Sequence, residues 1–306
     1  MRHSVAYAVL AVSMVAVGCS SDRSNGGPDK RSSLQPYPAT GVTKQFDFTI
    51  TDNVRWEVGP GAVYSALAYN EQVPGPPIEV TAGDHVTVHL TNRAKSAHSI
   101  HTHVTLFTAD NDGVDEPSMV PPGETRTIEW DPVFPGTFPY HDHGDETDGV
   151  ARGLFGAVIV HAPDEVPAAE QLVILSDFDQ SSYLQLPGVA DPKTGEFPDG
   201  GTYRGGHQYM HTINGKAYED GVEPFRAQVG DLVRWRVVSI GQEFHTWHIH
   251  GHRWLGADGA LTDNVALGPG MYTTFEFLED APGSWLVHCH VPSHLEGGMV
   301  ARYIVE

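Results

Sequence analysis

The strongest constraint on the fold is an internal repeat that runs through both halves of the chain. In each half, an Asn-containing turn leads into a strand, a Gly-Asp turn and a second strand in which apolar residues alternate with polar ones. The Gly-Asp turns lie at residues 83–84 and 230–231, and apolar closing strands follow at 154–160 and 299–305. Alternation with a period of two is the pattern of a half-buried strand, and a repeated pattern implies a repeated fold. We therefore predict an all-β chain of two Greek-key β-sandwiches.

Composition agrees with short strands joined by many turns. The 306 residues include 33 Gly and 22 Pro, which interrupt helices, and beyond the N-terminus no segment of about 12 residues has the apolar period of a helix. The sandwiches are predicted at residues 41–162 and 163–306, with a linker at 162–167 and a loop or connection at 182–210. The formal charge of −21 is opposite to what phosphate binding needs, so nucleic acid is not expected as a partner.

The first 18 residues have the features of an export signal. Arg2 and His3 precede an apolar run at residues 5–17, which is too short to span a bilayer comfortably. The following Cys19 completes a sequence similar to a bacterial lipobox, although Ala16 replaces the usual leucine. We predict an exported chain that is lipid-anchored through Cys19, at the outside of the cytoplasmic membrane or in the periplasm, with no other membrane association. The alternative is an ordinary secretory signal. Residues 19–40 are polar and predict a flexible tether.

Histidine pairs mark equivalent places in the two halves. In a strand, residues i and i+2 project from one face about 6–7 Å apart, so a His-x-His sequence presents two imidazoles side by side. A single pair is a weak signal, but four pairs at repeat-equivalent positions indicate a common purpose. Eight imidazoles suit three copper ions with three, three and two ligands. The four pairs are His101/His103, His141/His143, His248/His250 and His288/His290.

A second kind of metal site is indicated around Cys289. It is the only cysteine beyond Cys19, so no internal disulfide is expected, and metal ligation is a good reason for an exported chain to keep a thiol. Cys289 lies between two histidines, with His294 five residues later and Met299 ten residues later. Together with His245, these residues supply a thiolate, two imidazoles and a thioether, which is the ligand set of a blue-copper centre.

The repeat also indicates where such a centre is missing. His98 aligns with His245, but Asp142 stands in the position of Cys289 and Leu154 in that of Met299. A carboxylate without a thiolate cannot make a blue-copper site. His98 is therefore expected to be a vestige, or a group that contacts metal ligands without binding the metal itself. His252 is expected to be structural, or to contact metal ligands without binding the metal itself. The remaining histidines match no motif. They are expected to be surface or strand residues: His85, His89, His161, His207 and His211.

Two motifs resemble those of a known family. They are His-Thr-Trp-His-Ile-His-Gly-His-Arg-Trp, starting at His245, and His-Cys-His-Val-Pro-Ser-His-Leu-Glu-Gly-Gly-Met, starting at His288. The chain resembles the multicopper oxidases over about residues 45–306, and in particular the bacterial two-domain (small) laccases. The resemblance implies two cupredoxin-like domains, with the type 1 copper in the second. It implies one type 1, one type 2 and two type 3 coppers per chain equivalent.

The resemblance assigns ligands position by position. The type 1 copper would be held by His245, Cys289 and His294 with Met299 axial, and the type 2 copper by His101 and His248. One type 3 copper would take His103, His141 and His290, and the other His143, His250 and His288.

The resemblance also implies an activity. A laccase-type oxidase would oxidise phenolic or aromatic donors by single electrons near His294, the surface-facing ligand, and reduce dioxygen to water. Cys289 would pass electrons through His288 and His290 to the cluster. Asp112 follows the first His-x-His at the spacing of the family's acidic residue near the type 2 copper, and it could supply protons. The family forms clusters between neighbouring subunits, which predicts a homotrimer.

Other functions compete with this prediction. A ferroxidase could use the same scaffold, with Glu296 close in sequence to His294 to attract Fe(II). A copper nitrite reductase keeps its cysteine in the first domain, where this chain has Asp142. A copper-binding lipoprotein without turnover usually has Met-rich or Cys-rich runs, and the six methionines here are not clustered. Several small laccases have a tyrosine near the type 2 copper, and Phe107 stands at that position here. A redox role for a tyrosine at this position is therefore not expected in this chain.

Overall fold

The computed structural model describes residues 35–59, 62–104, 106–144, 146–179 and 209–306. The predicted export signal, Cys19, the tether up to residue 34 and residues 182–208 of the predicted loop therefore lie outside the described residues. In the part of the chain that is described, no helix has the length and apolar character needed to cross a membrane.

The first half contains two four-stranded sheets, with strand orders β2-β1-β4-β6 and β3-β8-β7-β5. One short helix, α1 (Glu146–Arg152), precedes the last strand. The strands are β1 (Thr43–Gly59), β2 (Ala62–Tyr69), β3 (Ile78–Thr81), β4 (His85–Asn92), β5 (His101–Thr102), β6 (Thr125–Trp130), β7 (Gly136–His141) and β8 (Phe155–His161).

The second half contains a four-stranded sheet, β10-β9-β12-β17, a five-stranded sheet, β11-β19-β18-β13-β16, and the pair β14-β15. A short helix, α2 (Pro292–Glu296), follows β18. The strands are β9 (Ala169–Asp179), β10 (Tyr209–Ile213), β11 (Phe225–Ala227), β12 (Leu232–Ser239), β13 (His245–Ile249), β14 (Trp254–Leu255), β15 (Leu261–Thr262), β16 (Asn264–Leu267), β17 (Tyr272–Leu278), β18 (Gly283–Cys289) and β19 (Val300–Val305).

The strand pairing repeats between the halves. β1 runs parallel to β4 as β9 does to β12, and β3 runs parallel to β8 as β11 does to β19. Parallel pairs within otherwise antiparallel sheets require connections that cross between the two sheets of a sandwich, which is the Greek-key arrangement. The predicted all-β fold of two sandwiches is confirmed. The predicted domain boundaries at 162 and 163 stay a prediction.

Three apolar clusters hold the described residues together. One fills the first sandwich around Trp130 and Tyr140, and a second fills the other around Trp235 and Trp247. The third cluster contains residues of both halves, among them Phe155 of the first half and Phe178 of the second. Burial of apolar surface is the main stabilising term in folding, so the third cluster makes the junction between the halves a packed core and not a flexible hinge.

Charged groups reinforce the junction at the linker. Glu165 lies 3.0 Å from the Arg236 guanidinium on β12 and 2.5 Å from His161 Nδ1. Arg236 is 1% exposed and also donates a hydrogen bond to Thr137 Oγ1 in the first half, at 3.3 Å. Burial raises the pKa of Glu165, but hydrogen bonds from His161 and Arg236 outweigh it, so the pKa is lowered below its ordinary value.

We expect Glu165→Gln to lower the free energy of unfolding by about 1–3 kcal/mol at pH 7, because it weakens a buried charge-assisted contact of Arg236. A carboxyl group whose pKa is lowered by folding stabilises the fold above its unfolded pKa of about 4.3. That contribution is lost as pH falls through the lower folded pKa. Chemical denaturation between pH 3 and pH 7 should therefore show the variant and the native chain converging in acid. Glu223→Gln, which removes an exposed carboxylate, is the control. A constant difference at every pH would contradict the assignment.

Candidate metal centres

The register of β13 against β18 places two sets of ligands on opposite faces of one sheet. Trp247 lies opposite Cys289 and His248 lies opposite His288. Because side chains alternate between faces along a strand, Cys289 shares the core face with Trp247, and both are fully buried. His248 and His288 project from the other face. One strand thus carries a thiol to one side and its neighbouring imidazoles to the other.

The ligand atoms of the core face converge. His245 Nδ1 lies 3.2 Å from His294 Nδ1, and Cys289 Sγ lies 3.6 Å from His294 Nδ1. The ligand atoms of these three buried residues all lie within 4.8 Å of one another. Met299 is fully buried, and its backbone is hydrogen bonded to Cys289 and His294. We call His245, Cys289, His294 and Met299 the core-face set.

The surroundings of Cys289 favour a thiolate. Burial raises the pKa of this thiol, but contacts with His245 and His294 and the amides of Thr246 and Val291 lower it to about 5. The Thr246 amide lies 3.3 Å from Sγ. A thiolate is the form of cysteine that binds metal, and with two imidazoles it makes a donor set suited to copper. The core-face set therefore fits the predicted type 1 site.

Two further residues contact the core-face set, although the sequence alone did not connect them with it. Asp177 Oδ1 lies 3.4 Å from His245 Nε2, and the His211 ring stacks on the His294 ring. Burial raises the pKa of Asp177, but the contacts with His245 and with two backbone amides outweigh it and lower the pKa. His211 lies in β10, which agrees with its expected place on the surface or in a strand. Its contact with His294 was not expected. Neither residue belongs to a motif, and only the strand pairing brings them to the site.

The opposite face of β13 and β18 carries four imidazoles, which we call the second quartet: His248, His250, His288 and His290. His250 Nε2 lies 3.0 Å from His288 Nε2, and ring centroids within the quartet lie 5.0–5.4 Å apart. The Thr246 side chain accepts a hydrogen bond from the His290 amide at 2.9 Å. Thr246 thus contacts both Cys289 and the backbone of the quartet.

The first half carries an equivalent first quartet: His101, His103, His141 and His143. His101 lies opposite His141 in the pairing of β5 with β7. His141 Nε2 lies 3.4 Å from His103 Nε2, and ring centroids lie 5.1–5.8 Å apart. The structure therefore brings the predicted ligands together in two groups of four. Their division among individual copper ions stays a prediction.

Backbone carbonyls fix the orientation of matching histidines in the two quartets. His101 Nδ1 lies 2.6 Å from the Asp112 carbonyl, and His248 Nδ1 lies 2.7 Å from the Asp263 carbonyl. His141 and His288 each place Nδ1 2.8–2.9 Å from the carbonyl of the next residue. A ring that donates its Nδ1 proton to a carbonyl presents the Nε2 lone pair, as metal-ligating histidines do. Both quartets therefore fit metal ions bound through Nε2.

Burial and repulsion from neighbouring imidazoles lower the pKa of three of these histidines, which favours their neutral form. Burial and then the neighbouring His141, His101 and His143 lower the pKa of His103 to about 4. In the second quartet, burial is the largest cause that lowers the pKa of His250 and of His288. A neutral imidazole is the form that binds a metal.

The two quartets remain apart within one chain. Among the described residues, no group of three ligand atoms within 4.8 Å of one another combines histidines of both quartets. His250 and His290 are exposed, so the second quartet lies at the surface. His103 and His141 line a cleft of about 440 Å³, which also reaches Asp177 and Gly270 of the second half. Each quartet is thus open to molecules outside its own sandwich.

Two further predicted positions lie beside His101. Asp112 follows a short 3-10 turn, and its carboxylate is 3.2 Å from His101 Nδ1 and 36% exposed. The ring of Phe107 meets the His101 ring edge-on at 6.2 Å. Asp112 is thus placed where a proton donor to the first quartet would stand, and the catalytic role assigned to it stays a prediction.

The position equivalent to the core-face set in the first half is filled differently. His98 Nδ1 lies 2.9 Å from Asp142 Oδ2, and both residues are buried. The Ser99 amide donates to Asp142 Oδ1 at 2.7 Å, and the Ser99 hydroxyl accepts from the His143 amide at 3.1 Å. Asp142 therefore supports the backbone of the first quartet and pairs with His98, which acts as a structural group. His252 is likewise paired with a carboxylate, the buried Glu279, at 3.0 Å.

Comparison with known proteins agrees with this geometry. A family profile described as "Multicopper oxidase" matches residues 51–165, and a second profile of the same description matches residues 185–306. The solved structure of a blue copper oxidase from Nitrosomonas europaea is similar, with a TM-score of 0.72 and 30% identity. That similarity covers 86% of each chain.

Two curated proteins are similar over most of this chain. One is a probable nitrite reductase-hydroxylamine oxidoreductase fusion protein of Kuenenia stuttgartiensis, 31% identical over 270 residues, and the other is ceruloplasmin of Mus musculus, 31% identical over 265 residues. The similarity covers 82% and 76% of this chain but 30% and 23% of those proteins. The chain therefore spans less than a third of the length of either relative.

Proposed function

Because the chain belongs to the multicopper oxidase family, we propose that it is a laccase-type oxidase. It would couple the one-electron oxidation of phenolic or aromatic donors to the four-electron reduction of dioxygen to water. Dioxygen and a reducing substrate are the reactants of this family, and copper is its metal. The laccase assignment, the count of one type 1, one type 2 and two type 3 coppers, and the catalytic roles below are parts of this proposal.

The observation that carries the proposal is the position of Cys289 between the two faces of its sheet. Its side chain belongs to the core-face set, while His288 and His290 on either side belong to the second quartet. Copper held by these residues would supply the one-electron chemistry and the reduction of dioxygen. The backbone on either side of Cys289 gives electrons two short covalent routes from one face of the sheet to the other.

The chain's own groups define where donors and protons would act. His294 was expected to face the surface, but it is only 4% exposed, and the exposed ring of Phe244 lies 6.3 Å from its ring. A donor would therefore approach at Phe244 and pass its electron inward to His294. Asp112, half-exposed beside His101, would hold a proton at its carboxylate and deliver it to the first quartet.

We propose that a complete cluster forms between subunits. Each chain supplies a first quartet and a second quartet that lie apart, and the second is exposed through His250 and His290. A first quartet of one subunit facing a second quartet of the next would join eight imidazoles. Such a head-to-tail contact closes as a ring, and a homotrimer is the ring that the small laccases suggest.

A ferroxidase is the second candidate, favoured by the similarity to ceruloplasmin and to ferroxidase HEPHL1 of Homo sapiens. Glu296 is exposed in α2 two residues after His294, and a carboxylate there suits Fe(II). A nitrite reductase is disfavoured. That activity would place the cysteine site in the first half, where Asp142 is instead engaged with His98 and Ser99.

Dioxygen uptake with a panel of donors distinguishes these functions. The copper-loaded protein should consume dioxygen most rapidly with phenols and release no hydrogen peroxide, because copper held by the two quartets would supply the chemistry for a complete four-electron reduction to water. Fe(II), Cu(I) and nitrite complete the panel, and the metal-free protein is the control. Faster uptake with Fe(II) than with any phenol would replace laccase by ferroxidase. Nitrite consumption without dioxygen uptake would contradict both.

The location of the protein is part of the same proposal. We propose export, with a lipid anchor on Cys19 at the outside of the cytoplasmic membrane or in the periplasm. Support comes from the residues around Cys19 alone. Cys19→Ala should move the protein from the membrane fraction to the soluble fraction if the anchor exists.

A further inference from the structure

Two buried residues on neighbouring strands stand behind the core-face set. Asp177 on β9 lies directly opposite His211 on β10 in the antiparallel register. They are 5% and 4% exposed, respectively. Cross-strand partners project from the same face of a sheet, so the two side chains reach the same site together.

Asp177 is held in place and faces His245. Its Oδ1 lies 3.4 Å from His245 Nε2, and the amides of Gln242 and Glu243 donate to its carboxylate at 3.2 and 3.4 Å. Gly241 has φ of +128°, and a Cβ at this position would come within 2.6 Å of Asp177 Oδ1. The loop can therefore close on the carboxylate only with glycine there.

His211 acts on the other imidazole. Its ring stacks on the His294 ring with a centroid distance of 3.9 Å and an interplanar angle of 14°. The His211 amide also donates to the Gly297 carbonyl at 3.0 Å, next to the end of α2. A Cβ at Gly297 would come within 2.4 Å of His211 Nδ1. β10 is thus packed closely against the segment that carries His294, and the stack fixes the plane of that ring.

The geometry points to Asp177 and His211 as a positioning pair for the two imidazoles of the core-face set. We infer that the Asp177 carboxylate lowers the reduction potential of the copper that this set would hold, whereas His211 fixes the His294 ring. This inference rests on the proposed type 1 site.

The direction of the effect follows from charge. The Nδ1 atoms of His245 and His294 face each other across the set, so Nε2 of His245 is the nitrogen that Asp177 can polarise. A carboxylate behind a ligating imidazole makes it a stronger donor. Reduction adds one electron and removes one positive charge from the site, and a buried negative charge nearby favours the oxidised state.

The test is a redox titration of the blue absorbance in the copper-loaded protein. Asp177→Asn should keep the blue band but increase the equilibrium constant for reduction about tenfold. This change corresponds to a reduction potential that is about 59 mV higher. Asp177→Glu, which keeps the charge, should restore most of the native potential. Glu279→Gln is the matched control, because it neutralises a buried carboxylate that pairs with His252 in the same half.

His211 is tested by its effect on the shape of the site. His211→Ala should broaden the copper hyperfine pattern in electron paramagnetic resonance, and His211→Phe, which restores a flat ring, should sharpen it again. If Asp177→Asn does not fold, Asp177→Ser is the second neutral variant. A native potential in the neutral variants with an intact blue band would overturn the inference. A native protein that binds copper without a blue band would instead overturn the proposed type 1 site.

Discussion

Cys289→Ser should abolish both the blue absorbance and the oxidation of every donor. The hydroxyl of serine is not ionised at neutral pH, whereas the contacts around Cys289 lower the pKa of its thiol to about 5 and supply a thiolate. Loss of the thiolate removes the strongest ligand of the core-face set and interrupts the route to His288 and His290. Absorbance spectra and dioxygen uptake with a phenol measure the two effects.

The two histidine quartets provide the internal control for this variant. They do not depend on the thiol, so Cys289→Ser should retain the copper that they hold, measured by metal analysis and electron paramagnetic resonance. Donor oxidation at the native rate in a variant without the blue band would show that electrons arrive by another route.

His101→Ala should have the complementary effect, keeping the blue absorbance but stopping dioxygen reduction. His101 belongs to the first quartet, and the Asp112 carbonyl at 2.6 Å orients it toward the other rings. His89→Ala removes an imidazole in the same half, outside both quartets, and should change neither property. Dioxygen reduction retained in the His101 variant would refute the assignment of the first quartet to the oxygen site.

Mixing inactive chains tests whether the quartets of different subunits combine. A His101→Ala chain has an intact second quartet, and a His248→Ala chain has an intact first quartet. In a head-to-tail ring, co-expression in equal amounts gives complete clusters at about a quarter of the contacts, so about a quarter of the native activity should return.

The oligomeric state separates the possible outcomes of that mixing. Light scattering should give a trimer for the native chain and for each variant. No activity in mixed trimers would mean that each chain completes its own cluster. A fully active monomer would refute the shared cluster.

Much of the fold and most of the candidate site could be predicted from sequence, because both depend on how residue types repeat along single strands. Alternation along strands predicted the sandwiches, and the His-x-His spacing predicted the quartets, since neighbours on one face of a strand are close by covalent geometry alone. The separation of Cys289 from His288 and His290 onto opposite faces follows from the same rule.

Asp177 and His211 could not be found in this way. Each is a single residue without a periodic partner, and they are joined to the site by the pairing of β9 with β10 and by packing against α2. Such contacts depend on how elements distant in sequence pack together, which no local pattern records. The short helices α1 and α2 were not anticipated either, because seven and five residues are too few to show a helical period.

The apolar cluster shared by the two halves, which includes Phe155 and Phe178, has a consequence for assembly. In the proposed head-to-tail contact, the rotation from one subunit to the next would depend on the angle at which one chain holds its own two sandwiches, together with the geometry of the contact itself. If that rotation divides evenly into a full circle the ring closes, and if it does not the subunits continue as a helical filament. The packing of a few aromatic and aliphatic side chains inside one chain would thus help to determine how many chains complete the circle. Enlarging or emptying this cluster should yield open polymers or rings of another size before it disturbs any metal ligand.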